Sequence, residues 1–352
     1  MKKFLDNHIC ESVLTVGCQH LPPRGGVAQV LYIYDKYIFT AFKKLTDTRE
    51  GNKLVKFWQF VTAYFGLFAV LLCDRKIRIV HIHTSSYNSF RRASTFVRLA
   101  HLMGKRVILH VHGGNFKEFY NASPKRILNV LNKCDCIIAL SESWKDFFSG
   151  IVNGPVVKVV ENPIEPPQYS LLDDDGIIRM LFLGLITDAK GIFDLLDVMN
   201  AHKGLYEGRL VLHIAGNGEV DRLQDVIHNY GLDDVACYEG WVDGPEKAVL
   251  MNKCSVFVLP SYSEGLPVSI LEAMSYGQYI VATDVGGIPE IVDQECGILF
   301  QPGDKDSMKS ILDKLAAGSI TLSDKDAIIE RSRKYLPQNI AGKLKEIYSE
   351  YL

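Results

Sequence analysis

Glu264 and Glu272 are the two residues whose type and spacing point most directly to chemistry. They stand either side of GLP in SYSEGLPVSILEAMSYG, residues 261–277, directly after the apolar run CSVFVLP. Gly265 permits a tight turn and Pro267 suits the first position of a helix, which the pattern carries through about Tyr276. The free N–H groups and positive dipole end of such a helix make an anion site, with Gly265 and Leu266 supplying its backbone. Glu264 sits at the mouth of that turn. Glu272 lies five residues beyond Pro267, ~7.5 Å along the axis at 1.5 Å per residue, about the reach from a diphosphate to the ribose of the same nucleotide. A carboxylate there accepts hydrogen bonds from both ribose hydroxyls, as the acidic residue of dinucleotide folds does.

Other candidates are weaker. The run GNG at 216–218 imitates a dinucleotide fingerprint, but Asp221 occupies its third glycine position, and no nicotinamide cofactor is expected. The pairs His81/His83 and His110/His112 could gather four imidazoles on a metal. Buried core histidines account for them better, and no metal or other cofactor is expected. The eight cysteines show no CxxC spacing and read as structural free thiols. Asp173–Asp175 reads as a solvated turn.

These residues must be positioned by a chain of 352 residues, 47% hydrophobic and 23% charged, which at ~150 residues per domain suggests two domains. Apolar runs at 12–17, 78–83, 106–112, 136–140 and 156–160, then at 179–183, 209–215, 236–238, 254–259, 279–283 and 297–300, alternate with helical stretches. The expected fold is α/β: two doubly wound parallel sheets, covered on both faces, with a cleft at their carboxyl ends. The Pro- and Asp-rich segment 161–176 reads as the linker. Residues 1–165 then form one domain, 166–336 a second, and 337–352 a terminal helix returning to the first. Residues 1–165 carry 23 Lys+Arg against 12 Asp+Glu, and residues 166–352 carry 16 against 29. A basic half of this kind expects an anionic partner.

Residues 57–73, FWQFVTAYFGLFAVLLC, are uncharged and flanked by lysines and arginines. The run is short for a membrane span, holds Gln59, Thr62, Tyr64 and Gly66, and leads into a strand. A helix packed on the sheet is the favoured reading, ahead of a membrane-surface helix and a spanning one. Asp6, Asn7 and His8 interrupt any apolar run at the start, so no secretory leader is expected.

Over nearly its whole length, and most strongly over 180–300, the chain resembles the retaining glycosyltransferases of the GT-B fold, the large family four. Glu264 and Glu272 match the E-x7-E motif of that family. FLGLITDAKG, HIAGNGE, YEGWV and TDVGGIPEIV match in the second half, and PPRGGVAQ, VHIHTSS, HVHGG and ALSES in the first. The resemblance implies that Glu264 holds donor-sugar hydroxyls beside the reacting carbon and that Glu272 binds the ribose. It implies further that Lys190 neutralises the leaving diphosphate, Gly25 and Gly26 present backbone N–H groups, and His112 touches the donor sugar. Gly240, Trp241 and Val242 would lie near the base. The family's arginine after the glycine of this segment is replaced here by Leu185. Arg24 is the expected substitute, from the opposite domain.

The expected activity is therefore transfer of a sugar from a nucleotide-sugar donor to an acceptor hydroxyl, on a lipid-linked or growing surface glycan. Arg91 and Arg92 are the acceptor-side candidates. A cytoplasmic protein peripheral on an anionic membrane face is expected, with no nucleic-acid partner. A nucleotide-sugar isomerase or hydrolase of the same fold and a non-catalytic subunit are the alternatives.

Overall fold

In a computed structural model, which describes residues 3–170 and 175–352, the chain divides into two compact units. Met1–Glu165 and Tyr335–Leu352 form the first, Pro166–Lys334 the second.

The first unit is a six-stranded parallel sheet of β1 (Val13–Cys18), β2 (Lys44–Thr48), β3 (Ile79–Thr84), β4 (Arg106–Val111), β5 (Cys136–Ala139) and β6 (Val156–Val159). Its order is β2-β1-β3-β4-β5-β6. The central strands are buried on both faces, which is why they read as continuous apolar runs. β2, with sequence KLTDT, is an edge strand that periodicity does not reveal. Its polar residues are half-buried except for the buried Asp47, and its pairing to β1 is decided by tertiary contact.

Three helices of this unit matter below: α1 (Gly26–Ile33), α2 (Lys53–Cys73) and α3 (Asn88–Leu102). The Asn52 side chain caps α2 by accepting from the Val55 N–H at 3.0 Å. Helix α2 corrects the expectation of a core helix. Only 17% of its most apolar window is buried, with Ala63, Leu67 and Leu71 facing inward and a row of large apolar residues facing solvent. It touches the unit along one side, against β2 and α3, because the edge position of β2 leaves nothing to cover the other.

The segment after β6 has neither helix nor strand through residue 170. Its start is nonetheless fixed: Glu165 accepts from Lys36 and Tyr37, both at 2.8 Å. Asp173 and Asp174 lie outside the described residues, while Asp175 accepts two bonds from Arg179, at 2.7 and 2.6 Å. The terminal helix, Pro337–Glu350, carries Pro337 in its first turn and buries Tyr348 against the sheet of the first unit.

The second unit is built on β7 (Ile178–Leu183), β8 (Leu210–Ala215), β9 (Ala236–Gly240), β10 (Val256–Leu259), β11 (Tyr279–Thr283) and β12 (Gly297–Phe300). Its order is β12-β11-β10-β7-β8-β9, all parallel. Strand order reverses between β10 and β7, and open α/β sheets bind ligands beyond the carboxyl ends of the strands at such a reversal. Helices α4 (Gly244–Lys253) and α5 (Val268–Ser275) follow β9 and β10. Helix α5 begins one residue later than expected, because Pro267 keeps an extended backbone at ψ 118°.

Candidate active site

At the reversal in the second unit, the loops after β7 and β10 are joined by the Tyr262 N–H, which donates to the Ala189 carbonyl at 3.0 Å. That registry brings Lys190 Nζ to 2.5 Å from Glu264 Oε1. Glu264 is buried at 8% exposure, and Lys190 keeps about a quarter of its side chain open to solvent. A third loop, after β11, braces the pair. The Gly287 N–H donates to the Gly265 carbonyl at 2.7 Å. Gly286 has φ +59°, and a Cβ there would stand 1.9 Å from the Glu264 carbonyl oxygen, so only glycine permits the approach.

Eight residues beyond Glu264, on α5, Glu272 accepts from Lys247 of α4 at 2.7 Å, with both side chains largely buried. Trp241 and Val242 lie between β9 and α4, with Trp241 exposed. One face of the unit thus presents a lysine–carboxylate pair, the start of α5, a second such pair and an aromatic ring.

Sequence reasoning missed Lys247 and Arg222. Lys247 follows Pro245 at the start of α4, a helix signal carrying no hint of Glu272. Arg222 donates to Asp188 through both terminal nitrogens at 2.9 Å and to Glu219 at 2.8 Å, stacked 3.7 Å from the Phe193 ring. Those carboxylates commit its charge to holding the 188–190 turn rather than to the place Leu185 leaves empty of an arginine. The GNG run proves structural: a Cβ on Gly216 would stand 1.8 Å from the Gly184 carbonyl oxygen.

In the first unit, Gly25 precedes α1 at φ +93°, and a Cβ on Gly25 or Gly26 would meet no atom within 4 Å. Arg24 donates to Glu50 at 2.7 Å. Arg24, Arg49, Glu50, Lys56 and Arg92 line one open pocket of about 280 Å3, which joins Arg24 to the acceptor-side candidate Arg92. Arg92 also reaches the buried Asp47 of β2 at 3.4 Å, whereas Arg91 is exposed on α3.

The four histidines gather on one face of the paired strands β3 and β4, with His83 opposite His110. His81, His83 and His110 are buried, and their ligand nitrogens lie within 4.8 Å of one another. His112 is half-buried; its Nε2 is 2.9 Å from His83 Nδ1 and its Nδ1 is 3.2 Å from Asn162 Oδ1. His81 Nδ1 meets the Tyr348 hydroxyl at 2.7 Å. Burial lowers all four below the usual histidine range, to about 4 for His112, so the rings are neutral at pH 7. Neighbouring rings stack, with His110 and His112 centroids 4.2 Å apart.

The family pattern described as "Glycosyl transferases group 1" matches residues 169–335. An uncharacterized glycosyltransferase of Methanocaldococcus jannaschii is 30% identical over 286 residues, covering 71% of this chain and 70% of that one. The chain belongs to the group 1 glycosyl transferases. A second relative of this glycosyltransferase is the GDP-mannose:cellobiosyl-diphosphopolyprenol alpha-mannosyltransferase of Xanthomonas oryzae, 26% identical over 78% of this chain and 74% of that one. The sucrose-phosphate synthase of Thermosynechococcus elongatus superposes with a TM-score of 0.77 at 17% identity, covering 96% of this chain and 98% of that one. The glycosyltransferase therefore has the GT-B fold.

Proposed function

We propose that this glycosyltransferase moves a hexosyl group from a nucleotide-sugar donor to a hydroxyl of a lipid-linked or growing surface glycan, with retention at the anomeric carbon. The observation that carries the reading is the Lys190–Glu264 pair at the strand-order reversal, next to the start of α5. The relative named for a GDP-mannose donor and a diphosphopolyprenol acceptor supports the same substrate classes.

The donor diphosphate lies at the start of α5, where backbone N–H groups and the helix dipole favour anions. Lys190 is shared between Glu264 and a diphosphate oxygen, and Glu264 turns its second oxygen to sugar hydroxyls. Glu272, held by Lys247, accepts from the ribose, and Trp241 lies beside the base. As the C1–O bond to the diphosphate breaks, the acceptor oxygen bonds to C1 on the same face. The acceptor proton passes to the departing diphosphate oxygen. The growing charge meets fixed cations and dipoles, so neither metal nor cofactor is required. His112, neutral, exchanges a hydrogen bond with a donor-sugar hydroxyl. Arg24 of the first unit takes the place of the arginine that Leu185 replaces at the donor diphosphate, and Arg91 and Arg92 serve the acceptor side. The protein works at a cytoplasmic membrane face, without nucleic acid.

Thermal unfolding with UDP, GDP, ADP, CMP and dTDP identifies the base. At 100 times its Kd a ligand adds about 2.7 kcal/mol, a shift of a few degrees. The matching nucleotide sugar is then supplied with a lipid-glycan extract, and the anomer of the product is read by NMR. Donor breakdown without acceptor dependence refutes the transferase assignment, and an inverted anomer refutes retention.

A further inference from the structure

From Phe57 to Cys73 helix α2 carries no charged residue, yet it is not enclosed. Along its outer side Leu54, Phe57, Phe65, Phe68 and Leu72 recur at intervals of three, four and eight residues, with Trp58 beside Phe57, each exposed, Trp58 at 61% and Phe65 at 65%. This spacing is one continuous stripe on a helix, about 31 Å long for 21 residues at 1.5 Å per residue. Beyond the exposed lysines of the first turn, the exposed polar side chain of α2 is Thr62, whose hydroxyl donates to the Trp58 and Gln59 carbonyls at 3.0 Å. A contiguous apolar face of that kind is costly in water and marks something that covers it.

Charge identifies the cover. Lys53 and Lys56 are exposed in the first turn of α2, and Arg75, Lys76 and Arg78 are exposed just past its end. A groove of about 350 Å3 between α2 and α3 is lined by Phe60, Val61, Tyr64, Phe65, Thr95 and Arg98. Apolar length bounded by cations at both ends fits a lipid leaflet, with acyl chains against the aromatic stripe and anionic headgroups against the basic ends. Crossing the bilayer is excluded by the inner side of α2, where Ala63, Leu67 and Leu71 are buried against the unit.

We propose that α2 lies in the plane of an anionic bilayer and docks the protein on it, the α2–α3 groove taking one acyl chain and Arg98 the phosphate of that lipid. Lys56 belongs both to α2 and to the pocket with Arg24 and Arg92, so docking sets that pocket at headgroup depth. The usefulness of this arrangement rests on the lipid-linked acceptor of the proposed function; its test does not.

The full chain is sedimented with phosphatidylcholine vesicles and with vesicles containing phosphatidylglycerol, at low and high salt. The wild type is expected to bind the anionic vesicles at least tenfold more tightly, with Trp58 emission quenched by brominated acyl chains. Phe57→Glu with Phe65→Glu is expected to abolish binding to both, and Lys53→Glu with Lys56→Glu to remove the anionic preference alone. Val249→Glu, at an exposed apolar site of the other unit, is expected to bind as the wild type does. Retention of the nucleotide-induced thermal shift in each variant shows that it folds. The proposal is overturned by equal vesicle binding of the stripe variant and the wild type, by no binding at all, or by a dimer that the stripe variant dissociates. Absence of sugar transfer with intact docking would refute the proposed function and leave the docking helix standing.

Discussion

Lys190 Nζ stands 2.5 Å from Glu264 Oε1, so a cation suited to a leaving diphosphate and a carboxylate suited to sugar hydroxyls neutralise each other across two loops. Each holds the other in place. Lys190→Ala is expected to lower kcat by ~10²–10³-fold, about 2.7–4 kcal/mol, the magnitude of losing one group that stabilises developing charge. It also leaves the buried Glu264 without this partner. Donor Kd from calorimetry beside kcat separates the two effects: a change in Kd with kcat intact would refute the leaving-group role.

Glu272→Ala is expected to weaken the matching nucleotide by ~10–100-fold, which is about 1.4–2.7 kcal/mol. The affinity for acceptor should not change. Removing the carboxylate also leaves Lys247 without its 2.7 Å partner, so the variant unfolds more readily in the absence of nucleotide. An unchanged nucleotide-induced shift in melting temperature would remove Glu272 from the ribose site.

The histidine group links stability to pH. His81, His83, His110 and His112 titrate below the ordinary histidine range in the fold, His112 near 4 and His81 near 3. The unfolded chain therefore takes up protons as pH falls below ~6.5 while the folded chain does not. Their contribution is complete above that pH and is lost on acidification toward the folded values, by up to about 1.4 kcal/mol per pH unit for each ring. Urea unfolding at pH 7.5 and 5.0 measures this. A curve as flat as that of a His81→Phe, His110→Phe variant would show that the rings are not the cause.

Gly286→Ala and Gly318→Ala make a controlled pair. Both glycines have φ near +60°, but a Cβ on Gly286 would meet the Glu264 carbonyl at 1.9 Å, whereas one on Gly318 meets nothing within 4 Å. Gly318→Ala is expected to cost about 1–2 kcal/mol and to leave activity intact. Gly286→Ala should cost more and cut kcat, because it displaces the backbone of Glu264. Equal activities in the two variants would contradict the bracing role of the loop after β11.

Dialysis against a chelator is expected to leave turnover unchanged, since Lys190 and the start of α5 are assigned the charge compensation. Loss of turnover restored by magnesium or manganese would show that these groups do not suffice.

The sequence by itself determined the two parallel sheets, because strands buried on both faces must be apolar runs bounded by turns. It also singled out Glu264 and Glu272, in the turn and helix that follow such a strand, while Lys190 came from the family resemblance. What lay beyond it depended on contacts between residues far apart in the chain. β2 became a strand only by pairing with β1, since KLTDT carries no periodicity of its own. Lys247 and Arg222 acquired their carboxylates from other loops, and no local spacing encodes a partner 25 or 34 residues away. For the same reason the apolar run of α2 read as core: composition measures how apolar a helix is, while only the packing of the sheet edge decides which of its sides is covered.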